Sequence, residues 1–456
     1  MSLDWMNHIG KGELVKYVLH QTNKSHGLSN LDVSLDLCDG SLLIIPDAGT
    51  NDDKFILDIK ENVNVDVCVL DHHPRDTKDL VGSLFVLVNP QESPKYTNKQ
   101  LSGAGVVYQL LRLMNDKGYH YDDLCALALI ADVMDIRSYE TKFLIENGLS
   151  DIRNPFLKSL INYIEKKING NLTIRNVQMY IVPLINAIIR VGNIEERDLL
   201  FQAFCCNDPD THNRVLSIAE ECKSRQNKMI DDWMQTQDFD CSSQVIIKEC
   251  NLDEGVLGVV AQKILSKTGK PAIVFDNNNH GHARGYGLFK TWCSEYGECA
   301  GHEQAFGVSV TEEGRERLEK ASVDYVVKNE KDEADITESE DFLFDAANLN
   351  QLCEFNSYIG TGIDPLLVKF ENSIFDYDDI SIIGKNKDTL KIAFEENVSF
   401  MVFFYNKDQE LVDLIKRVKK NKTKVMVSAT CTVSRSEYFG KRSWTLIAEK
   451  YEVKEW

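Results

Sequence analysis

No stretch of this chain approaches the roughly 18 apolar residues that a membrane-spanning helix needs, which sets a membrane role aside. The first residues, "MSLDWMNHIGKGE", lack a basic start, an apolar core and a small-residue cleavage site. Nothing marks the chain for secretion, and it is expected to stay in the cytoplasm. Twelve cysteines occur, Cys205 and Cys206 side by side, yet no pair has the C-x-x-C spacing of structural zinc or redox exchange. They read as free, mostly buried thiols in a reducing compartment. Positive charge is also short, since 51 Lys and Arg against 71 Asp and Glu leave a formal charge of -20. That balance argues against wrapping a polyanion over the whole surface, because phosphate contacts need clustered cations. One local basic run, "KRVKKNKTK" at 416–424, remains, and such runs are usually a solvated helix end and loop.

What is present fits a multidomain globular protein. A chain of 456 residues is about three times the usual domain size, so two to four domains are expected. The 43% apolar and 27% charged shares are ordinary for that class. Residues 1–150 alternate short apolar runs ("SLLIIP", "VCVL", "LFVLV") with helical patterns, which predicts an α/β domain with a parallel sheet covered by helices. Residues 151–237 turn helical and close on a long connecting helix, where Val215, Ile218, Ala219, Cys222, Met229, Ile230 and Trp233 keep helical spacing. A smaller α/β unit follows at 238–328, with "SQVIIKE" and "PAIVF" as strands and "GVLGVVAQKIL" as a helix. Residues 329–341 are acidic and poor in apolar residues, as a linker would be. Short strand patterns over 342–456 predict a small β-barrel, closed or partly closed.

In parallel sheets, ligands collect beyond the carboxyl ends of the strands. Two apolar runs deliver polar residues there: "LLIIPDAGTND" places Asp47, and "VCVLDHHP" places Asp71, His72 and His73. Asp132 interrupts the otherwise apolar helix "CALALIADVMDI", where a charge is costly unless paired or bound to a cation. Singly, Asp47 before Gly49 is a turn former, Asp132 a paired core acid, and one histidine structural. Together they favour a metal site. Carboxylate oxygens with imidazole nitrogen suit manganese or magnesium-like ions, which activate water against a phosphoryl group.

The motifs extend in order along nearly the whole chain: "PDAGTND", "DHH", "NP", "LSGAGVVYQLL", "ALIADVMDIRSYETKFLIENGL", "YIVPLINAIIRVGN", "GHARGYG", "CAGHEQAFGVSV", "YIGTGIDPLLVKF" and "EYFGKRSWTLI". This series resembles the DHH phosphoesterase superfamily, and specifically its RecJ branch of single-strand-specific exonucleases. The resemblance implies a parallel-sheet DHH domain, a long connecting helix, a smaller α/β DHH-associated domain and a C-terminal OB-like barrel. It implies that Asp47 bridges two Mn2+ or Mg2+ ions, that His72 and Asp132 complete one of them, that Asp71 orients the histidines and that His73 touches the scissile phosphate. It places Ser102, Gly103, Arg190, Arg284, Gly301 and His302 against substrate phosphates. Gly103 can equally serve helix packing, Arg284 can pair with a core acid, and His302 can be a cap. In the barrel, Phe439, Lys441, Arg442 and Trp444 are candidates to meet a single strand, although an aromatic residue in a small barrel is more often core.

The family begins with a strand ending in Asp-x-Asp that supplies further ligands, whereas "LDWMNHIGKG" matches only the tail of the helix after it. Asp4 and His8 lack the spacing to replace that pair. The expectation is therefore one complete metal position, a second with little beyond Asp47, and weak or absent nuclease activity in this chain. The activity implied for the family is 5'-to-3' hydrolysis of single-stranded DNA to 5'-mononucleotides in repair and recombination. The chain would act as a monomer, with a single-strand-binding protein or a helicase as partner. Rival readings are a non-catalytic replication or repair scaffold and a phosphodiesterase of short oligonucleotides or cyclic dinucleotides.

Overall fold

A computed structural model describes residues 1–8, 10–19, 28, 37–75, 85–114, 121–168, 172–239, 242–327, 342–343, 345, 348–356, 358, 362–363, 366–384, 387–403, 405–438 and 441–456. The expected acidic linker at 329–341 lies outside them, as does Phe439; the side chains of His302 and Lys441 are likewise not described. The chain divides into two compact units. One comprises Met1–Met134, Ser138–Asn162 and Met179–Ile336, and the other Asp135–Arg137, Tyr163–Gln178 and Thr337–Trp456.

The first unit opens with α1 (Ser2–His8), followed by β1 (Leu42–Pro46), α2 (Asp53–Asn62), β2 (Asp66–Leu70) and β3 (Val86–Val88). The strands form a parallel sheet in the order β1-β2-β3. Alternation along β1 and β2 turns Ile45, Val67 and Val69 inward onto Ile56 and Ile59 of α2. The opposite face is covered less than the sequence pattern suggested, because Leu42, Ile44 and Val86 are exposed. α3 (Gly103–Met114), α4 (Asp122–Ala131) and α5 (Tyr139–Ser150) follow. α4 is apolar nearly all round and buries Cys125, Ala126, Leu127, Leu129 and Ile130, as an interior helix should.

Helices α6 (Pro155–Ile168), α7 (Ile174–Asn176), α8 (Val182–Val191), α9 (Ile194–Cys205) and α10 (Pro209–Thr236) come next. α10 is the expected long helix, 28 residues capped by Asp208 with Pro209 in its first turn. A second sheet then forms from β4 (Ile246–Glu249), α11 (Glu254–Thr268), β5 (Ala272–Phe275), β6 (His280–Arg284), α12 (Phe289–Cys293), β7 (Glu298–His302) and β8 (Ala305–Ser309), followed by α13 (Glu312–Ala321). Its order is β4-β5-β6-β8-β7, parallel at β4–β5 and antiparallel elsewhere. Every residue of β5 is buried, as a central strand covered on both faces requires.

The second unit carries a sheet of seven strands: β9 (Phe342–Leu343), β10 (Val368–Phe375), β11 (Ile380–Ile383), β12 (Thr389–Glu395), β13 (Val398–Phe403), β14 (Val425–Tyr438) and β15 (Lys441–Glu455). α14 (Leu349–Asn356) and α15 (Gln409–Asn421) pack on its core through Leu352, Leu411, Ile415 and Val418. The order β11-β12-β13-β15-β14-β10-β9 is linear, and among the described residues no pairing closes it into the barrel expected from sequence. The basic run at 416–424 spans the end of α15 and its left-handed cap Lys422, a solvated helix end as anticipated.

The crossing of α4 and α5 is tight at Gly148, where an added Cβ would sit 2.1 Å from the Asp122 carbonyl oxygen and 2.6 Å from Ala126 Cβ. Gly148→Ala should therefore lower unfolding free energy by about 1–3 kcal/mol, measurable by denaturant titration.

Candidate metal centre

The corner is built at the carboxyl ends of β1 and β2. Asp47 follows Pro46 with a φ of 61°, a left-handed conformation uncommon for a residue with a Cβ. Its N–H donates to the Leu70 carbonyl (2.9 Å), and the N–H of Asp71 donates to the Val88 carbonyl (3.1 Å), so both acids sit one step beyond their strands. Gly103, at the start of α3, presses on this turn. A Cβ there would lie 2.3 Å from Asp47 Oδ1 and 2.6 Å from its Cα. A glycine at 103 therefore leaves room for Asp47.

Asp71 is 1% exposed. Its Oδ2 accepts the Thr50 N–H (3.1 Å); its Oδ1 accepts the His72 N–H (2.7 Å), the His73 N–H (3.4 Å) and His73 Nδ1 (2.7 Å). Burial alone would raise this carboxyl, but the hydrogen bonds from His73 and Thr50, with the His73 charge, hold it well below the usual carboxylate range. An ionised Asp71 can only accept, so Nδ1 of His73 carries the proton and its Nε2 is left for another partner. The same hydrogen bond raises the His73 pKa against the effect of burial, helped by the charges of Asp71, Asp47 and Asp132.

His72 is buried, and its Nε2 lies 3.3 Å from Asp47 Oδ1 and 3.2 Å from Asp132 Oδ2. Ligand atoms of Asp47, Asp71, His72 and His73 all fall within 4.8 Å of one another. Asp132 does not interrupt its helix as the sequence pattern implied; α4 ends at Ala131 and Asp132 is its C-cap, followed by Val133 at a φ of 54°. That ending turns the carboxylate toward His72, and its buried Oδ2 makes no hydrogen bond. Burial pushes the Asp132 pKa up to about 6, with His72 opposing and Asp47 adding to the rise. Two carboxylate oxygens converging on one imidazole nitrogen, one of them buried without a donor, fit a hard or borderline divalent cation. Asp47, His72 and Asp132 are the residues to hold it. Asp71 already has donors for both oxygens and serves as their support.

Of the phosphate candidates, Gly103 lies against Asp47, with Ser102 beside it, and the others sit on later elements of the unit. Arg190 lies in the last turn of α8 and Arg284 ends β6, both half-buried, and Gly258 of α11 makes room for the Arg284 guanidinium, whose Nη2 would lie 2.8 Å from a Cβ. Burial, then the Arg190 charge, lowers the Arg284 pKa to about 10, and burial lowers that of Arg190. Among the described residues neither has a carboxylate partner, so the core-acid alternative for Arg284 finds no support. Ser102 is buried with its Oγ accepting the Gly105 N–H (3.2 Å), a cap within α3. Gly301 takes a φ of 125° in β7, where a Cβ would meet the Ala305 carbonyl at 2.9 Å, and its own carbonyl accepts Lys290 Nζ (2.8 Å). In the second unit, Trp444 packs against the sheet core and Arg442 lies opposite Glu437 in the β14–β15 ladder. Sequence reasoning gave no role to Thr50 and Asn89, which brace the corner, although they lie in the motifs "PDAGTND" and "NP".

Comparison with known proteins agrees with this construction. No family model matches the chain. It is 28% identical to a Bacillus subtilis (strain 168) protein named "Putative SPbeta prophage-derived single-strand DNA-specific exonuclease YorK", over 81% of this chain and 71% of that protein. It is 24% identical to the single-stranded-DNA-specific exonuclease RecJ of the same organism, over 56% of this chain and 34% of that protein. The crystal structure of Thermus thermophilus RecJ in complex with Mn2+ superposes over 90% of the chain with a TM-score of 0.68 at 19% identity. The chain is RecJ-like in sequence and in fold. It spans 61% of the length of that RecJ crystal chain. The Mg2+ complex of the same RecJ matches with a TM-score of 0.62.

Two outcomes follow for this RecJ-like corner. Gly103→Ala should weaken Mn2+ binding about tenfold or more by displacing Asp47, read as a smaller Mn2+-induced rise in melting temperature. The raised pKa of Asp132 means that the cation-free fold is favoured with that carboxyl protonated, a contribution lost as pH rises through about 6. A cation reverses the preference, so apparent Mn2+ affinity should fall by up to about tenfold per pH unit below about 6, measured by calorimetric titration.

Proposed function

We propose that this chain is a divalent-cation-dependent exonuclease of single-stranded DNA that works from the 5' end and releases 5'-mononucleotides. The observation that carries the reading is the convergence of Asp47 and Asp132 on His72 Nε2, with a buried Asp132 oxygen that has no hydrogen-bond donor. When bound, Mn2+ or Mg2+ supplies activation of water and neutralisation of charge on the phosphoryl oxygens. Asp47, His72 and Asp132 present the acceptor atoms. Asp71 fixes the His73 ring through Nδ1, which leaves Nε2 to contact a phosphoryl oxygen. Arg190 and Arg284 add two guanidiniums without carboxylate partners among the described residues, suited to bidentate grip on phosphate oxygens. The names of the YorK and RecJ relatives supply the single-stranded DNA substrate. Repair and recombination are the processes in which such an activity would be used.

Incubation of the chain with Mn2+ and oligonucleotides labelled at either end tests this. The expected result is early release of the label as mononucleotide from 5'-labelled single strands and slower loss from 3'-labelled ones. Asp47→Ala and His72→Ala should each lower the rate by about a thousandfold or more, in line with loss of metal-assisted stabilisation. Arg284→Ala should raise KM about tenfold or more. Absence of Mn2+- or Mg2+-dependent cleavage by the unaltered chain, or full activity in Asp47→Ala, would overturn the proposal.

A further inference from the structure

Asn89 is the first residue beyond β3 and is buried. Its side-chain amide donates one hydrogen to Thr50 Oγ1 (3.0 Å) and the other to the His73 carbonyl (2.9 Å), while its Oδ1 accepts the Gln91 N–H (2.8 Å). Those three contacts fix which way the amide faces, since a flipped amide would set its oxygen against the His73 carbonyl. Thr50, 1% exposed, passes the link onward, because its N–H donates to Asp71 Oδ2 and its carbonyl accepts Arg75 Nη1 (3.1 Å). Arg75 in turn pairs with Asp53 at 2.7 Å. One amide therefore ties together the loops that follow all three parallel strands.

We infer that Asn89, acting with Thr50, is a positioning residue that sets the His73 backbone and, through Asp71, the direction in which the His73 ring is presented. The inference rests on the reading of this corner as catalytic. Asn89 touches no reacting atom; it acts by holding the peptide that follows His73 while Thr50 holds the carboxylate to which the ring is hydrogen-bonded. Without the amide, Thr50 Oγ1 and the His73 carbonyl each lose a buried donor, and the peptide after His73 is free to turn. The ring would then lose alignment while the ligands Asp47, His72 and Asp132 stay on their own elements.

Four variants of the full chain separate alignment from packing. Asn89→Asp is isosteric but sets an acceptor against the His73 carbonyl, and Asn89→Ala removes the group. Thr50→Val keeps the volume without the hydroxyl, whereas Thr50→Ser keeps the hydroxyl. The expected result is a roughly 10- to 100-fold loss of kcat in Asn89→Asp, Asn89→Ala and Thr50→Val with KM changed less than about threefold, and near-normal kcat in Thr50→Ser. The low-field proton resonance of the His73 Nδ1–H, followed in histidine-labelled protein, should shift or broaden in the same three variants and persist in Thr50→Ser. An unshifted resonance with normal kcat in folded Asn89→Asp would overturn the inference, as would Thr50→Ser damaged as much as Thr50→Val. If Asn89 variants fail to fold, the Thr50 pair decides it. If the unaltered chain cleaves no DNA, the proposed function fails, and the brace is judged on the His73 resonance alone.

Discussion

A carboxylate that is 1% exposed must be surrounded by donors or give up its charge, and the polar end of the first sheet is organised around Asp71 meeting that condition. The donors come from three sources: the turn after β1 through Thr50, the two peptides that follow Asp71, and the His73 ring. Each is ordered by the need of the one acid. The turn that carries Asp47, the backbone that carries His72 and the tautomer of His73 are thereby set by the same buried charge. The approach of Gly103 to Asp47 and the amide of Asn89 are close-packing consequences of bringing three strand ends to one point.

Elsewhere the molecule satisfies its buried and half-buried acids with care. Asp123 accepts from the backbone N–H groups of Leu124, Arg153 and Asn154, and Glu140 accepts from Tyr96, Asn98 and Gln109. Asn193 and Glu196 form a reciprocal capping box at the start of α9. Against this background two groupings stand out. The carboxylates of Asp47 and Asp132 meet over His72 with a buried oxygen lacking a donor, and Arg190 and Arg284 share a half-buried region with no acid beside them among the described residues. The first lacks positive charge and the second negative charge. Left alone, each is a cost to the fold of the kind retained where a ligand supplies the missing sign.

Much of this was legible in sequence because the relevant signals were local. An apolar run that stops at a polar residue marks a strand end, and both Asp47 and Asp71 lie where such stops placed them. Helical spacing gave α10 and α11, and the short strand patterns expected over 342–456 include β11, β12 and β13. What escaped depends on contacts between distant residues. Nothing in "CALALIADVMDI" announces that its aspartate ends the helix rather than interrupting it, because the termination lies in the positive φ of Val133. The closeness of Gly103 to Asp47, 56 positions away, was not visible in sequence. Asn89 and Thr50 are separated by 39 residues and share no pattern. The exposure of Leu42, Ile44 and Val86 likewise follows from what packs on the sheet, which periodicity alone does not state.

The formal charge of -20 also takes on a different meaning once the site is in place. At physiological ionic strength charges further apart than about 8 Å are largely screened, so on the proposed reading the acidic surface has little say over a phosphate held in the site. On that reading, what matters there is the half-buried Arg190–Arg284 pair and a cation held by buried His72 with the more exposed Asp47 and Asp132. An overall acidic protein can therefore act on a polyanion if its contacts are few and local. Such an arrangement favours a strand threaded into a site over a duplex spread on a surface, which is the physical sense in which the acidic composition and the single-strand reading agree.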